Sequence, residues 1–241
     1  MKSEIQATQS RLMGLLEFNR IREKLVKPNQ PAWLAYTQHE FVELMASANL
    51  AKPSFQHYLQ QDYLFLKQYA RAYALAIYKS DGIEQMLPNL KCLTDLIEFE
   101  IQLHIKYCSE WHITQEALDA IDEDVATVAY TRFVLDTGQA GDLIDLLVAL
   151  APCALGYAQI GFRLNQSNET QRQNNPYLEW IETYASDEFI ESALSQMNQL
   201  EALLDDIPLD SPRWQKLSRI FATATRMEAA FWQQGLVSNE G

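Results

Sequence analysis

A thiol and a phenol stand four residues apart in Pro152-Cys153-Ala154-Leu155-Gly156-Tyr157. On a helix that spacing puts both side chains on one face. A thiol that has lost its proton is a strong nucleophile, and a phenol beside it can hydrogen-bond to the reacting group. The same pair suits a packed core equally well, because free cysteine is among the most buried residue types. Two acids lie where the apolar pattern points inward. Asp62 is followed by Phe65 at i+3 and Leu66 at i+4, and Glu228 lies between Ala224 and Trp232. Tyr130 falls between Ala126 and Val134, and Tyr184 follows Trp180 at i+4. A carboxylate on a buried stripe is costly unless it is paired or hydrogen-bonded. Helical bundles gather such groups from facing helices into one interior site. Taken singly, each residue has a plainer reading. The acids serve as caps or surface charges, and the tyrosines as core residues with one hydrogen bond. His104, four residues after Glu100, reads as a helix-stabilising pair, and His39, His57 and His112 form no cluster.

Metal and phosphate chemistry can be tested against spacing. A carboxylate-bridged di-iron bundle needs Glu-x-x-His on two helices, and no such spacing occurs; Glu100–His104 is one residue too long. His-Glu-x-x-His, a Walker A loop and a GxSxG elbow are also missing. The chemistry left is thiol and general acid/base work, with no bound metal or nucleotide.

The elements that must position these groups are helices. Eight glycines and eight prolines in 241 residues imply long elements and few turns. Tyr63, Leu64, Leu66, Tyr69, Ala70, Tyr73, Ala74 and Ile77 trace one helical face. Leu93, Leu96, Ile97, Glu100, Ile101 and His104 trace another, and Phe189, Leu194, Met197, Leu200 and Leu204 a third. Ser186-Asp187-Glu188 supplies a capping hydroxyl with acids in the first turn. Ser211-Pro212 supplies a cap followed by proline at the first helical position, opening a helix through Trp232. Breaks are predicted at 27–31, 51–53, 80–82, 137–141, 165–176 and 205–212, with 165–176 an exposed polar loop. None is long enough for a linker, and no segment alternates as a strand does. The expected architecture is all-α, a single domain over residues 1–241 with roughly eight to ten helices.

Composition bounds the function. Hydrophobic residues make up 48% and charged residues 21%, enough for one large core. A net charge of −13 argues against nucleic acid or an anionic membrane as partner. Cys92, Cys108 and Cys153 are too few and too scattered for a disulfide framework. Met1–Gln6 lacks the apolar core of a secretory leader. The apolar run Leu146–Ala158 is too short to span a bilayer. A cytoplasmic place is expected.

The motifs also resemble a known family. Gln61-Asp62-Tyr63-Leu64-Phe65-Leu66 with Tyr69-Ala70-Arg71 is similar to the first motif of the TenA/thiaminase II family. Glu100-x-x-x-His104, Ala129-Tyr130-Thr131-Arg132-Phe133 and Pro152-Cys153-x-x-x-Tyr157-x-x-Ile160-Gly161 resemble the next three. Tyr177-x-x-Trp180-Ile181-x-x-Tyr184-Ala185-Ser186-x-x-Phe189 and Glu228-x-x-Phe231-Trp232 complete the series, in family order over roughly residues 10–235. The resemblance implies a haem-oxygenase-like multi-helix bundle, assembled as a homotetramer, with no cofactor. It implies thiamin salvage: hydrolysis of 4-amino-5-aminomethyl-2-methylpyrimidine to the hydroxymethyl pyrimidine and ammonia, and cleavage of thiamin to the pyrimidine alcohol and the thiazole. Cys153 places the chain with the cysteine-bearing branch. By that resemblance Cys153 is the nucleophile, Glu228 moves protons, and Asp62 binds the aminopyrimidine edge. Tyr130 and Tyr157 hydrogen-bond near the thiol, and Phe65 and Tyr184 stack on the ring. Phe65 stands where some members carry tyrosine. A non-catalytic module holding a pyrimidine as carrier or regulator is the alternative, and a haem or di-iron relative a third that the missing metal spacing disfavours.

Overall fold

The computed structural model describes residues 19–236, and every regular element in that span is helical. The reading of Met1–Gln6 lies outside the described residues. A π-turn segment, Asn19–Val26, and a short 3-10 turn lead into α1 (Gln30–Thr37) and α2 (Glu40–Ala46). The long α3 (Lys52–Lys79) is followed by α4 (Ile83–Asp95), a π turn at Leu96–Glu100, and α5 (Ile101–Glu110). Then come α6 (Gln115–Asp119), α7 (Val125–Ala140), α8 (Leu143–Gln166), α9 (Leu178–Tyr184), α10 (Asp187–Leu204) and α11 (Pro212–Gly235).

α8 is the central element. It packs against α11, α10, α9 and α7, and more lightly against α1 and α3. It is long and apolar enough to cross a membrane, yet most of it is buried among these helices. Its start is fixed by a reciprocal cap: the Asp142 side chain accepts from Asp145 N–H at 3.0 Å, and Asp145 accepts from Asp142 N–H at 3.1 Å. Arg213 and Lys216 of α11 clamp Asp145 at 2.7 and 2.9 Å. Gly161 lets α8 touch the end of α9. A Cβ there would lie 2.5 Å from the Tyr184 carbonyl oxygen, so the missing side chain brings Tyr184 against the thiol helix.

The caps read at Ser186 and Ser211 form as expected; their hydroxyls accept from Phe189 and Trp214 N–H at 3.2 and 3.1 Å. Four local expectations are corrected. On α3 the buried positions past Tyr69 are Ala72, Tyr73 and Ala76, while Ala74 faces solvent; alanine fits either face and carries little phase information. Between α4 and α5 the π turn inserts about one extra residue per turn. It advances the helical phase, so Leu96 and His104 turn inward while Ile97 is 45% exposed. The break at 137–141 shrinks to Gly141–Asp142, because Gly138 stays helical and packs closely against Leu75 and Leu146. In the loop after Gln166, Thr170 and Asn175 are buried rather than exposed. Asn175 Nδ2 donates to Met45 O at 3.0 Å, and Gln171 N–H to Ala46 O at 2.9 Å.

Candidate active site

α8 carries Cys153 and Tyr157 to the wall of an interior cavity of about 1000 Å³. Tyr69, Tyr73, Glu100, Phe189 and Gln196 share that wall. Cys153 is half-buried. Its thiol lies near Glu228 on α11 and Tyr69 on α3, both of which bear on its acidity or are affected by it. Burial pushes the thiol well above its ordinary acidity range, and the carboxylates of Glu228, Glu100 and Asp62 push it further. Its resting form is therefore the protonated thiol, and its reaction as a nucleophile requires a base within reach.

Glu228 is that neighbour. Its carboxyl is buried and accepts from the Tyr130 hydroxyl at 2.8 Å. Burial foremost, with the charge of Asp62, raises its pKa to about 8; the bonds from Tyr130 and Cys153 hold it back from rising further. A carboxyl near neutrality can take a proton in one step and return it in the next. Glu100 belongs to the same set. It accepts from the Tyr184 hydroxyl at 3.0 Å, and burial with the charge of Asp62 raises it to about 7.

Asp62 is fixed by a separate network. Its Oδ2 lies 2.7 Å from His104 Nε2 and accepts from the Tyr58 hydroxyl at 2.9 Å. His104 Nδ1 lies 2.7 Å from the backbone carbonyl of Glu100. A carbonyl can only accept, so Nδ1 carries a hydrogen and Nε2 faces the Asp62 carboxyl. Burial disfavours a charge on the ring, but the bonds and charge of Asp62 outweigh it and raise the His104 pKa. Asp62 and His104 thus form a buried hydrogen-bonded pair inside the protein. Removing one partner of such a pair strands the other.

The structure brings Cys153, Glu228 and Tyr130 together, with Tyr130 donating to Glu228. Asp62 joins Tyr157 through Tyr58, whose hydroxyl lies 3.5 Å from that of Tyr157. Phe65 and Tyr184 fall into separate aromatic packs. Phe65 stacks on Tyr69 at 5.3 Å and meets Tyr130 and Phe231. Tyr184 meets Trp180 at 4.4 Å, Tyr157 at 4.9 Å and Phe189 at 4.8 Å. Of the residues singled out as a site, Cys153 and Tyr157 line the cavity; Asp62, Phe65, Tyr130, Tyr184 and Glu228 are buried beside it. Sequence reasoning passed over Glu100, His104 and Tyr58. The pair Glu100–His104 reads as helix-stabilising and as a family marker without a role, yet His104 reaches across to α3 and the Glu100 carboxyl accepts from Tyr184. Two polar residues on an apolar stripe were the available signal. Among the described residues no group of His, Cys, Asp and Glu is arranged to hold a metal ion.

Three comparisons bear on this arrangement. The sequence profile of the family described as TENA/THI-4/PQQC matches residues 27–238. An uncharacterized protein of Haemophilus influenzae is 45% identical over 214 residues, which is 89% of this chain and 98% of that one. An aminopyrimidine aminohydrolase of Halalkalibacterium halodurans is 38% identical over 211 residues, 86% of this chain and 92% of that one. A solved structure from a Silicibacter species, described as a TenA family transcription regulator, superposes with a TM-score of 0.82 at 44% identity. It covers 87% of this chain and 93% of its own.

Proposed function

The chain belongs to the TENA/THI-4/PQQC family, and on that premise we propose that it hydrolyses 4-amino-5-aminomethyl-2-methylpyrimidine to the hydroxymethyl pyrimidine and ammonia, and thiamin to the same alcohol and the thiazole, in thiamin salvage. The observation that carries the proposal is the Cys153 thiol set beside a carboxyl of pKa about 8 at the edge of a cavity. In this reading Cys153 adds to C6 of the pyrimidine while its proton passes to Glu228. The ring's loss of aromaticity lets the substituent on the 5-methylene depart; Glu228 returns the proton to the leaving amine, whereas from thiamin the thiazole leaves as the neutral base and one proton passes to solvent in the cycle. Water then adds to the exocyclic carbon, its proton goes to Glu228, and the C6–S bond breaks to restore ring and thiol. Atoms balance with water as the only co-reactant, so the reaction calls for no cofactor. Asp62, held by His104 and Tyr58, takes the amino edge of the ring and favours its electron-poor form. Tyr130 steadies Glu228, Tyr157 hydrogen-bonds beside the thiol, and Phe65 and Tyr184 back the ring.

The test is incubation of the purified protein with the aminomethyl pyrimidine, read by ammonia release and by calorimetric binding. Ammonia release at many turnovers per enzyme is expected. Binding of the pyrimidine with no ammonia would replace the hydrolase by the carrier or regulator that the name of the Silicibacter protein suggests. We also assign a homotetramer, working in the cytoplasm. Tyr78, Ile83 and Leu87 are each more than half exposed around the α3–α4 turn, and contiguous exposed apolar surface marks association. Sedimentation equilibrium is expected to give four times the mass of one chain; a concentration-independent monomer would reject the assembly. The free thiols of all three cysteines suit a reducing compartment, which cell fractionation checks.

A further inference from the structure

The cavity in front of Cys153 exceeds what one pyrimidine ring fills. At about 1000 Å³ it lies at the top of the range that encloses drug-sized ligands. One wall residue carries an unanswered polar group. Gln196 on α10 is 1% exposed. Its Oε1 accepts from the Tyr73 hydroxyl at 3.0 Å, but its Nε2 has no hydrogen-bond partner. A buried donor left unpaired is costly, so an amide in this position calls for an acceptor brought by a ligand.

The place of Gln196 along α3 says which part of a ligand. Asp62, Tyr69 and Tyr73 share one stripe at i, i+7 and i+11. At 1.5 Å per residue, Tyr69 stands roughly 10 Å and Tyr73 roughly 16 Å beyond Asp62. Cys153 lies near Tyr69, and Gln196 is bonded to Tyr73. The order along the helix is therefore Asp62, thiol, Gln196. With C6 at Cys153, the methylene on the adjacent C5 and the group it carries lie in the same cavity whose wall bears Tyr73 and Gln196. The mouth beyond is acidic. Glu98 and Glu188 line it, while Lys91 is engaged by Asp95 at 2.7 Å and Lys106 by Glu179 at 2.5 Å.

Resting on the hydrolase reading above, we propose that Gln196 and Tyr73 form a leaving-group subsite, in which Gln196 Nε2 donates to an oxygen acceptor on the departing group. The class of leaving group is a neutral or cationic nitrogen heterocycle or amine that carries a hydroxyl or carbonyl oxygen; the acidic mouth disfavours a phosphate in that place. Gln196 is a positioning residue with a role in specificity.

The test compares kcat/KM for thiamin, whose thiazolium bears a hydroxyethyl group, with its analogue bearing ethyl instead, and with the aminomethyl pyrimidine. In Gln196→Leu, the ratio of thiamin to aminomethyl pyrimidine is expected to fall about tenfold, the size of one hydrogen bond. The thiamin-to-ethyl-analogue preference of the wild type, also about tenfold, is expected to vanish in the variant. Gln196→Glu keeps an acceptor for Tyr73 while removing the donor, and it carries the same expectation should the leucine variant fold poorly. Equal loss on all three substrates overturns the subsite. A wild type that hydrolyses the aminomethyl pyrimidine but not thiamin also overturns it and leaves the hydrolase reading standing. A wild type inert on both removes the hydrolase reading and the subsite together.

Discussion

Cys153→Ser is expected to lower kcat for the aminomethyl pyrimidine by about 10³-fold or more, while the dissociation constant for the product alcohol changes less than about threefold. The substitution is close to isosteric and keeps a hydroxyl that can donate to Glu228, so the hydrogen-bonded group around Tyr130 stays satisfied. What changes is the reacting atom. A serine hydroxyl is a far weaker nucleophile than a thiol toward a ring carbon, and it must give up its proton to a carboxyl of pKa about 8. Loss of a covalent nucleophile removes an interaction made only on the way to the transition state, so it falls on kcat rather than on binding. Initial rates of ammonia release and a calorimetric titration with the alcohol give the two numbers. Turnover within tenfold of wild type would show that the thiol takes no covalent part, and Cys153 would then be a packing residue of the cavity wall.

The helical class was legible because the sequence contains long 3.6-residue periodicity with few breakers, and because Ser186 and Ser211 announce their helices with hydroxyls that do cap them. Cys153 and Tyr157 were placed on one face by spacing alone, and both do reach the cavity. The carboxylates were visible as misfits on apolar stripes, but their partners were not. The bond from His104 to Asp62 joins residues 42 positions apart, and nothing local encodes it. The π turn at Leu96–Glu100 defeats a fixed-period reading, since it changes which residues point inward partway along the helical run from Ile83 to Glu110. That irregular turn is also what sets Glu100 and His104 at the site, in keeping with the tendency of such bulges to occur where chemistry is done. Gln196 gave no signal. A glutamine between Ser195 and Met197 on an amphipathic helix looks like any polar boundary residue until its unpaired amide is seen beside Tyr73.

Glu228→Gln is expected to pull activity and stability in opposite directions, with pH separating the two. As the group that moves protons in both halves of the reaction, Glu228 contributes about 10²–10⁴-fold to the rate, and glutamine cannot replace it. Since the resting carboxyl must be ionised to take the thiol proton, wild-type kcat/KM is expected to rise with pH and level off above about 8, where Glu228 titrates. In the variant that limb disappears with most of the activity. Stability follows the reverse sign. The folded pKa, about 8, lies above the ordinary carboxyl value of 4.5, so between those limits the folded state holds a proton that the unfolded chain has released. Linkage then makes this group's contribution favour folding most on the acid side, decline as pH rises through the window, and stay level above it. At pH 9 the wild type carries a buried, poorly solvated carboxylate. Glutamine keeps an oxygen for Tyr130 without the charge, which relieves a cost on the order of a few kcal/mol. For a chain of this size that is several degrees in Tm. Thermal denaturation at pH 9 should therefore find Glu228→Gln the more stable protein, and at pH 4.5 the two should nearly coincide. A Tm difference that does not change with pH would mean that Glu228 ionises as freely in the folded protein as in water, and the burial that makes it a proton carrier in this site would lose its basis.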